Sequence, residues 1–467
     1  METGGRQPAG GREAHRDRTA GGRPLARGRP GRGTPVAARA LRGMAAAVMI
    51  VAFLAGVPAG AVPAPARARA ALLATGWPAV APVQPPSPAG EEPPGPAGSG
   101  QRHLPAAAAG PATQVPAPWR GFVPEPPALS SSAAVLMDAA TGRVLYDHNA
   151  RQRRPPASTT KILTAIVALE YGNLDDVVTV SPYAAGTEGS TMELRAGERY
   201  TLRELLWGLM LESGNDAAVA IAEHISGSEA AFARLMNDTA RRLGLRDTHF
   251  TNPHGLHDPG HYTTAYDLAV MTRYALANDY FARLVCQPEK VLCRGDADWV
   301  RVLASTNRLL WYHEWIDGVK TGTTDPAGLC LVSSGSRGGG RLIAVVLDSE
   351  DRWEDSRRLL EWGFAAFQAV RHGTAGDAAG RVRVAGGRQR WVSAVLEGDL
   401  AAMVPRRLAG RVRMRVELPP RVPAPVTAGQ VLGQAALLLD DREVARAGLR
   451  AGEAVGRAPW WRRVLPW

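Results

Sequence analysis

The sequence has 467 residues, 45% of them hydrophobic, and its 55 Lys and Arg outweigh 44 Asp and Glu to give a formal net charge of +11. The length allows a large buried core, and the Cys count of 3 is too low for a disulfide-based fold. Residues 1–43 carry a net charge of +7, from ten arginines and three acidic residues, so a nucleic-acid-binding face on the folded part is not predicted.

Residues 1–70 are typical of a basic leader followed by a secretory signal peptide. An apolar stretch at 44–62 follows Arg39 and Arg42, and Ala-x-Ala sites come after it within 64–70. A positive region, an apolar core and a small-residue exit are the marks of a signal peptide. An uncleaved membrane anchor is the alternative, because the stretch is close to the length that spans a bilayer. Both interpretations predict export.

Residues 71–128 are rich in Pro, Ala and Gly and predict an extended spacer that forms no core. Two folded domains are expected after it, at 129–372 and 373–455. A tail at 456–467 ends the sequence.

A strand, a turn and a second strand are predicted between Ala133 and Asp147, and a helix is predicted after Pro156. Ser158 lies in the first turn of this helix, and Lys161 follows three residues later on the same face. A serine hydroxyl becomes a nucleophile when a neighbouring base takes its proton, and a neutral amine is such a base. A helix N-terminus and burial both favour the neutral amine. Ser158 and Lys161 are therefore candidate catalytic residues.

A second pair of polar residues lies in a break between two helical patterns. Apolar residues recur at helical spacing from Leu202 to Met210, and the next pattern begins at Ala217. Ser213 and Asn215 lie between them, where both side chains are free to face a cleft.

The sequence retains only three lysines, Lys161, Lys290 and Lys320. Arginine does not lose its proton in a protein, so a lysine retained in an arginine-rich chain indicates a site that needs an amine. Lys320 begins the segment Lys320-Thr-Gly-Thr323, which precedes a strand-like apolar run.

His254, His257 and His261 lie close together in the sequence, but no cysteine or carboxylate near them has the spacing of a zinc site, so a loop is predicted. Cys286 and Cys293 are near enough in sequence to pair, and the sequence leaves this open.

Two buried strands are predicted at 329–333 and 342–347, with Cys330 in the core, and a closing helix at 356–370. Strands on both sides of a helix-rich middle predict one sheet flanked by helices.

From about residue 373, apolar and charged residues alternate strictly, most clearly at 381–384 and 411–418. This alternation predicts a small antiparallel β domain. The Trp- and Arg-containing end, 459–467, is too short to span a membrane and suits a membrane interface; an ordinary chain end is the alternative.

The motifs Ser-x-x-Lys, Ser-x-Asn and Lys-Thr-Gly, in this order, resemble the active-site set of penicillin-binding proteins and serine β-lactamases. The segments Ser213-Gly-Asn-Asp-Ala-Ala218 and Asn252-Pro-His-Gly-Leu256 narrow the resemblance to the low-molecular-mass D-alanyl-D-alanine carboxypeptidases, peptidase family S11. It extends over about residues 131–366 and more faintly to about 450. Gly214 stands where class A β-lactamases usually have Asp, which favours the carboxypeptidases.

The resemblance implies an α/β (α+β) fold: a β-lactamase/transpeptidase-like catalytic domain with a sheet flanked by helices, plus a small C-terminal antiparallel β domain. It implies an exported, extracytoplasmic enzyme of the cell envelope that removes the C-terminal D-alanine from peptidoglycan stem peptides. β-Lactams would inhibit it covalently. No metal or organic cofactor and no nucleic-acid partner are implied.

The resemblance also implies a role for each site residue. Ser158 would be the nucleophile and Lys161 its base, with Ser213 and Asn215 relaying the proton and holding the peptide. The backbone N–H groups of Ser158 and Thr323 would bind the oxyanion. The residues expected to bind substrate are Lys320, Thr321, Gly322, Thr323 and Arg352.

Two other functions remain open at this point. One is a β-lactamase or esterase on the same fold, which would need a base that activates water; Glu223 and Glu229 are expected to face solvent and not to serve. The other is a catalytically silent β-lactam-binding sensor, which an intact Ser158 and Lys161 disfavour.

Overall fold

The structure is a computed structural model that describes residues 115–294 and 299–459. The predicted leader, signal peptide and most of the spacer lie outside the described residues, and so does the tail from residue 460. In the described part, no helix is long and apolar enough to cross a membrane.

The helices cluster between the second and seventh strands, apart from one long helix near the end of the catalytic region. Short 3-10 turns cover Ala117–Trp119, Ala157–Thr160 and Arg406–Arg411. The α-helices are α1 (Lys161–Tyr171), α2 (Pro182–Ala185), α3 (Leu202–Leu211), α4 (Asn215–Ser226), α5 (Glu229–Arg242), α6 (Ala265–Leu276), α7 (Asp279–Val285), α8 (Leu309–Tyr312) and α9 (Arg352–Ala366).

The strands fall into a central sheet, a C-terminal sheet and three two-stranded pairs. They are β1 (Ala133–Asp138), β2 (Val144–His148), β3 (Val177–Thr179), β4 (Arg199–Thr201), β5 (Glu289–Arg294), β6 (Trp299–Ala304), β7 (Ile316–Thr324), β8 (Gly328–Arg337), β9 (Gly340–Ser349), β10 (Phe367–Gly373), β11 (Ala378–Ala385), β12 (Trp391–Leu396), β13 (Leu400–Pro405), β14 (Val412–Glu417), β15 (Arg421–Pro423), β16 (Val431–Leu439) and β17 (Arg442–Ala451).

The central sheet has the antiparallel order β2-β1-β9-β8-β7, with β7 at one edge. Its residues alternate between two cores, as side chains of a strand covered on both faces must. Ile343 and Val345 pack with the helices α1 and α3 to α7 on one face, and Leu342 and Ala344 pack with α9 on the other. This confirms the predicted sheet flanked by helices.

The C-terminal sheet has the order β14-β16-β17-β12-β11-β15 and is antiparallel except for the short parallel pair of β11 and β15. Val382 and Val384 are buried while Arg381 and Arg383, which alternate with them, are exposed, as the alternation predicted. Asp138 of β1 accepts a hydrogen bond from the Met403 N–H at 3.0 Å and so joins the catalytic region to β13.

The closing helix differs from its predicted bounds of 356–370. It begins at Arg352, because the Asp351 carboxylate caps it by accepting from the N–H groups of Trp353 and Glu354. It ends at Ala366, because the next residues form β10 and pair with β13. Arg352 is therefore the first residue of α9 and does not precede the helix. The predicted domain limits, 129–372 and 373–455, remain predictions.

All three cysteines lie in the described residues, and none forms a disulfide. The pairing of Cys286 with Cys293 that the sequence left open is therefore absent from this structure. Cys330 is fully buried in the core, as predicted.

Candidate active site

The candidate nucleophile lies in the 3-10 turn Ala157–Thr160 that leads into α1. Ala157 has a φ of 47°, a left-handed conformation that costs free energy in a residue with a Cβ and is found at functional sites. The turn is held by two side-chain bonds: Thr159 Oγ1 donates to Pro156 O at 2.6 Å, and Thr160 Oγ1 donates to Ala157 O at 2.7 Å. Ser158 is half-buried at the end of this fixed turn.

Lys161 is completely buried beneath Ser158. Its Nζ lies 3.0 Å from Ser158 Oγ, 2.6 Å from Asn215 Oδ1 and 2.8 Å from His254 O. The last two atoms can only accept hydrogen bonds. A neutral amine has two N–H groups and one lone pair, so these two acceptors take both hydrogens and leave the lone pair directed at Ser158 Oγ.

Electrostatics favour the neutral amine that this geometry needs. Burial lowers the pKa of Lys161 well below its ordinary value, and the charge of Lys320 lowers it further. The charge of Asp216 acts in the opposite direction. Lys161 is thus placed and poised to accept the proton of Ser158.

Ser213 and Asn215 occupy the break between α3 and α4, as the sequence predicted. Ser213 is buried with a φ of 61°, a second left-handed residue at the site. Asn215 Nδ2 donates to Glu188 O at 2.6 Å, which fixes the amide with its oxygen towards Lys161. The segment that carries Glu188 is therefore part of the site's support.

Gly214 has no space for a side chain. A Cβ there would lie 2.7 Å from Asp216 Oδ1 and 3.1 Å from Met192 N. The Asp216 carboxylate accepts from the N–H groups of Met192 and Leu194, both at 2.9 Å, and so holds the loop before β4 against the start of α4. The departure at Gly214 from the β-lactamase pattern thus has a local packing cause.

Strand β7 forms the opposite wall. A Cβ at Gly322 would lie 2.9 Å from Pro156 O and 3.1 Å from Thr159 N, so glycine lets the strand lie directly on the nucleophile turn. Lys320 is buried, and burial together with the charge of Arg352 lowers its pKa to about 7. Thr321 Oγ1 lies 2.8 Å from Thr306 Oγ1, and Thr323 beside it is exposed.

Arg352 extends from the first turn of α9 to β7. Its Nη1 donates to Gly322 O at 2.9 Å and to Thr323 Oγ1 at 2.7 Å. Burial lowers the pKa of Arg352, and the nearby Arg308 charge lowers it too. The structure therefore brings Arg352 to the Lys-Thr-Gly segment.

The histidine loop packs on the other side of the nucleophile turn. A Cβ at Gly255 would lie 2.0 Å from Ala157 O, and the residue has a φ of +94°. His261 is buried, and burial lowers its pKa to about 3. One of its ring nitrogens, Nε2, lies 2.8 Å from Thr160 Oγ1, and Thr251 N–H donates to the other at 3.1 Å. The loop expected around these histidines is present, and it supports the nucleophile turn.

Sequence reasoning missed three supports of the site. Two are backbone oxygens, His254 O on Lys161 and Glu188 O on Asn215, which no side-chain pattern reveals. The third is Glu229, for which the expectation of a solvent-facing carboxylate was wrong: it lies 3.3 Å from His254 Nε2 with 18% of its side chain exposed. Glu223 is also engaged, accepting from Ser181 Oγ at 2.6 Å.

The family model of D-alanyl-D-alanine carboxypeptidases matches residues 120–351, and the model of the C-terminal domain of penicillin-binding protein 5 matches residues 367–457. The D-alanyl-D-alanine carboxypeptidase DacF of Bacillus subtilis is 34% identical over 337 residues, which cover 70% of this chain and 86% of the relative. This chain belongs to the D-alanyl-D-alanine carboxypeptidase family.

Further members of the family match the chain as widely. DacD of Salmonella typhimurium is 35% identical over 361 residues, covering 73% of this chain and 91% of the relative. The crystal structure of penicillin-binding protein 5 from Haemophilus influenzae has a TM-score of 0.59 at 33% identity and covers 72% of this chain and 100% of that one. Penicillin-binding protein 6B from Escherichia coli has a TM-score of 0.54 at 32% identity, over 70% of this chain and 97% of that one.

The predicted fold and activity are confirmed. This chain is a serine-type carboxypeptidase that hydrolyses D-Ala-D-Ala termini. It consists of a mixed helix and sheet domain followed by a C-terminal β domain. The family acts on peptidoglycan stem peptides outside the cytoplasm and binds β-lactams.

Proposed function

We propose that Ser158 is the nucleophile and Lys161 the general base of this carboxypeptidase. The observation that carries the proposal is the placement of Lys161 Nζ, 3.0 Å from Ser158 Oγ and within hydrogen-bond distance of two acceptors, Asn215 Oδ1 and His254 O, that would take both N–H groups of a neutral amine. An amine so held accepts the hydroxyl proton without first having to reorient.

Acylation then proceeds as a balanced transfer. Ser158 Oγ attacks the carbonyl carbon of the penultimate D-alanine while its proton passes to Lys161 Nζ. When the tetrahedral intermediate collapses, the bond to the terminal D-alanine nitrogen breaks, and that nitrogen takes a proton relayed through Ser213. Water hydrolyses the resulting ester in the second half of the reaction.

Two features of the cleft suit the charges of this substrate. Lys320 and Arg352 are cations beside the Lys-Thr-Gly strand, and we assign to them the terminal carboxylate of the peptide. Gly322 brings β7 against the nucleophile turn, so the N–H groups of Ser158 and Thr323 are assigned to the developing oxyanion. Thr321 and Asn215 are assigned to the peptide backbone.

Release of D-alanine from diacetyl-Lys-D-Ala-D-Ala tests this assignment directly. The wild-type protein is expected to release one D-alanine per peptide, and Ser158→Ala is expected to release none while keeping the same thermal unfolding temperature. Binding of benzylpenicillin without any D-alanine release would instead support the silent sensor.

We further propose that the enzyme is exported by its apolar leader and touches the membrane through its tail, residues 459–467. The tryptophans and arginines of the tail in the sequence support this contact, because such side chains favour the lipid interface. Deleting the tail should leave turnover in solution unchanged and weaken sedimentation with anionic liposomes. Equal sedimentation of both proteins would make the tail an ordinary chain end.

A further inference from the structure

A carboxylate behind the site contacts the residue that orients the catalytic amine. Glu229 Oε2 lies 3.3 Å from Nε2 of His254, whose own backbone oxygen accepts from Lys161 Nζ at 2.8 Å. His254 is buried, with 8% of its side chain exposed. A single residue, His254, therefore links the Glu229 carboxylate to the Lys161 amine.

The hydrogen bonds around His254 define which nitrogen of its ring faces the carboxylate. The Leu256 N–H donates to Nδ1 at 3.1 Å, so the neutral ring carries its proton on Nε2, towards Glu229. Burial lowers the pKa of His254, which keeps the ring neutral. Burial raises the pKa of Glu229, but its interactions with His254 and its hydrogen bond with Tyr183 together outweigh burial and lower the pKa of the carboxyl, which stays charged at neutral pH.

The turn that carries His254 O is held by Asn252, by Thr164 Oγ1, which donates to Pro253 O at 2.6 Å, and by this ring. Asn252 Oδ1 accepts from the N–H of Gly255 at 2.7 Å, and the imidazole closes the turn through Leu256. A rotation of the His254 ring would break its bond to the Leu256 N–H, two residues along the chain from the carbonyl oxygen that accepts from Lys161. Without that acceptor, one N–H of the amine is free to turn, and the lone pair no longer points at Ser158 Oγ.

We propose that Glu229 is a positioning residue for acylation, which locks the ring of His254 and thereby the carbonyl oxygen that orients Lys161. The proposal rests on the role assigned above to Lys161. It concerns the rate of acylation and not the binding of substrate, since Glu229 contacts none of the residues assigned to substrate within the described chain.

A second contact of Glu229 offers an internal comparison. Tyr183 of α2 hydrogen-bonds to the same carboxylate and is 65% exposed. The chain continues from Tyr183 to Glu188, whose carbonyl oxygen holds Asn215. If Glu229 affects the acylation rate through this loop, Tyr183→Phe should lower that rate as well. If Glu229 acts through His254, Tyr183→Phe should leave the rate unchanged.

The test measures three constants with benzylpenicillin: the acylation constant k2, the dissociation constant Ks and the deacylation constant k3. The enzyme concentration in each measurement is the concentration of active sites that benzylpenicillin titrates. Glu229→Ala should lower k2 about tenfold with Ks within about twofold, because one orienting hydrogen bond is lost. Glu229→Gln should keep k2 within about threefold, since its amide oxygen still accepts from Nε2. Tyr183→Phe should match the wild type.

The control is Glu170→Ala. Like Glu229, Glu170 is a mostly buried carboxylate, with 15% of its side chain exposed, and it accepts from a tyrosine, Tyr274; it also pairs with Arg242. It should change k2 less than twofold. Glu229→Met, which keeps the volume but accepts no hydrogen bond, replaces the Ala variant if that protein does not fold.

Three results would overturn the proposal: an unchanged k2 in Glu229→Ala, equal losses in Glu229→Gln and Glu229→Ala, or a loss confined to k3. The last would mean that the carboxylate acts on water. A wrong assignment of Lys161 as the base would give a different result. The Lys161→Arg protein would then be acylated by benzylpenicillin at the normal rate, whatever the effect of the Glu229 variants.

Discussion

Burial lowers the pKa of Lys161 far below that of a free lysine, and the charge of Lys320 across the cleft lowers it again. In the mechanism proposed above, the two amines have opposite tasks at one site. Lys161 must be neutral to accept a proton, and Lys320 must be charged to attract a carboxylate. Their pKa values decide the pH range in which both conditions hold.

Lys161→Arg should abolish acylation by benzylpenicillin in a protein that still folds and unfolds cooperatively. A guanidinium keeps the positive charge but does not accept the serine proton. Lys290→Arg is the matched control, because it exchanges the third lysine of the chain outside the site. Near-native turnover by Lys161→Arg would mean that another group is the base.

The pH dependence of kcat/KM for D-alanine release should be bell-shaped. Activity rises with pH as Lys161 loses its proton, and it falls above about 7 as Lys320 loses its charge. In Lys320→Gln the descending limb should disappear. The ascending limb should move to higher pH, because removing a neighbouring positive charge raises the pKa of Lys161. An ascending limb that stays in place would argue against coupling of the two amines.

Arg352→Ala should lower kcat/KM for peptides with a free terminal carboxylate, at a cost of roughly 1.5–3 kcal/mol for one charge-assisted contact. A substrate with an esterified terminus should lose much less. Arg358→Ala, an arginine of the same helix that pairs with Glu354 on the surface, serves as the control. Equal losses with both substrates would remove Arg352 from carboxylate binding.

Benzylpenicillin should form a long-lived covalent adduct with Ser158. Acylation uses the residues already assigned, but rapid release requires a base that activates water. In the described residues neither Glu223 nor Glu229 contacts Ser158, and each is engaged elsewhere. Intact-mass spectrometry after mixing should show the adduct for minutes or longer. Its disappearance within seconds, with excess penicillin destroyed, would indicate a β-lactamase.

Asp138→Ala should destabilise the protein by about 1–3 kcal/mol, because the buried N–H of Met403 loses its acceptor. Burial raises the pKa of Asp138, so the stability it contributes is greatest when it is protonated and falls as pH rises through the folded-state value. The cost of the substitution should thus be larger at about pH 4 than at pH 7. Chemical denaturation at the two pH values measures it, with exposed Asp325→Ala as the control.

The placement of the candidate catalytic residues was predictable because each motif depends on short-range order. Lys161 follows Ser158 by three positions, about one turn, and a break between two helices frees Ser213 and Asn215. The alternation around Val382 likewise encodes which face of β11 is buried.

The supports of the site were not predictable in the same way. Glu229 reaches His254 through the packing of α5 against the histidine loop, and its sequence context resembles that of any surface glutamate. The closing helix ends at Ala366 because β10 pairs with β13, a contact that no local pattern reveals.

The burial of Lys161 and Lys320 also determines how this enzyme can be labelled. Amine-reactive reagents need an accessible, unprotonated amine, and both of these lysines are shielded in the cleft. Lys290, on β5 and 5.2 Å above the ring of Trp207, is partly exposed. A dye ester or an activated resin at limiting concentration should thus couple at Lys290 and at the chain's own amino terminus. A fluorophore or a solid support can be attached at one defined lysine while Lys161, the proposed catalytic base, remains unmodified.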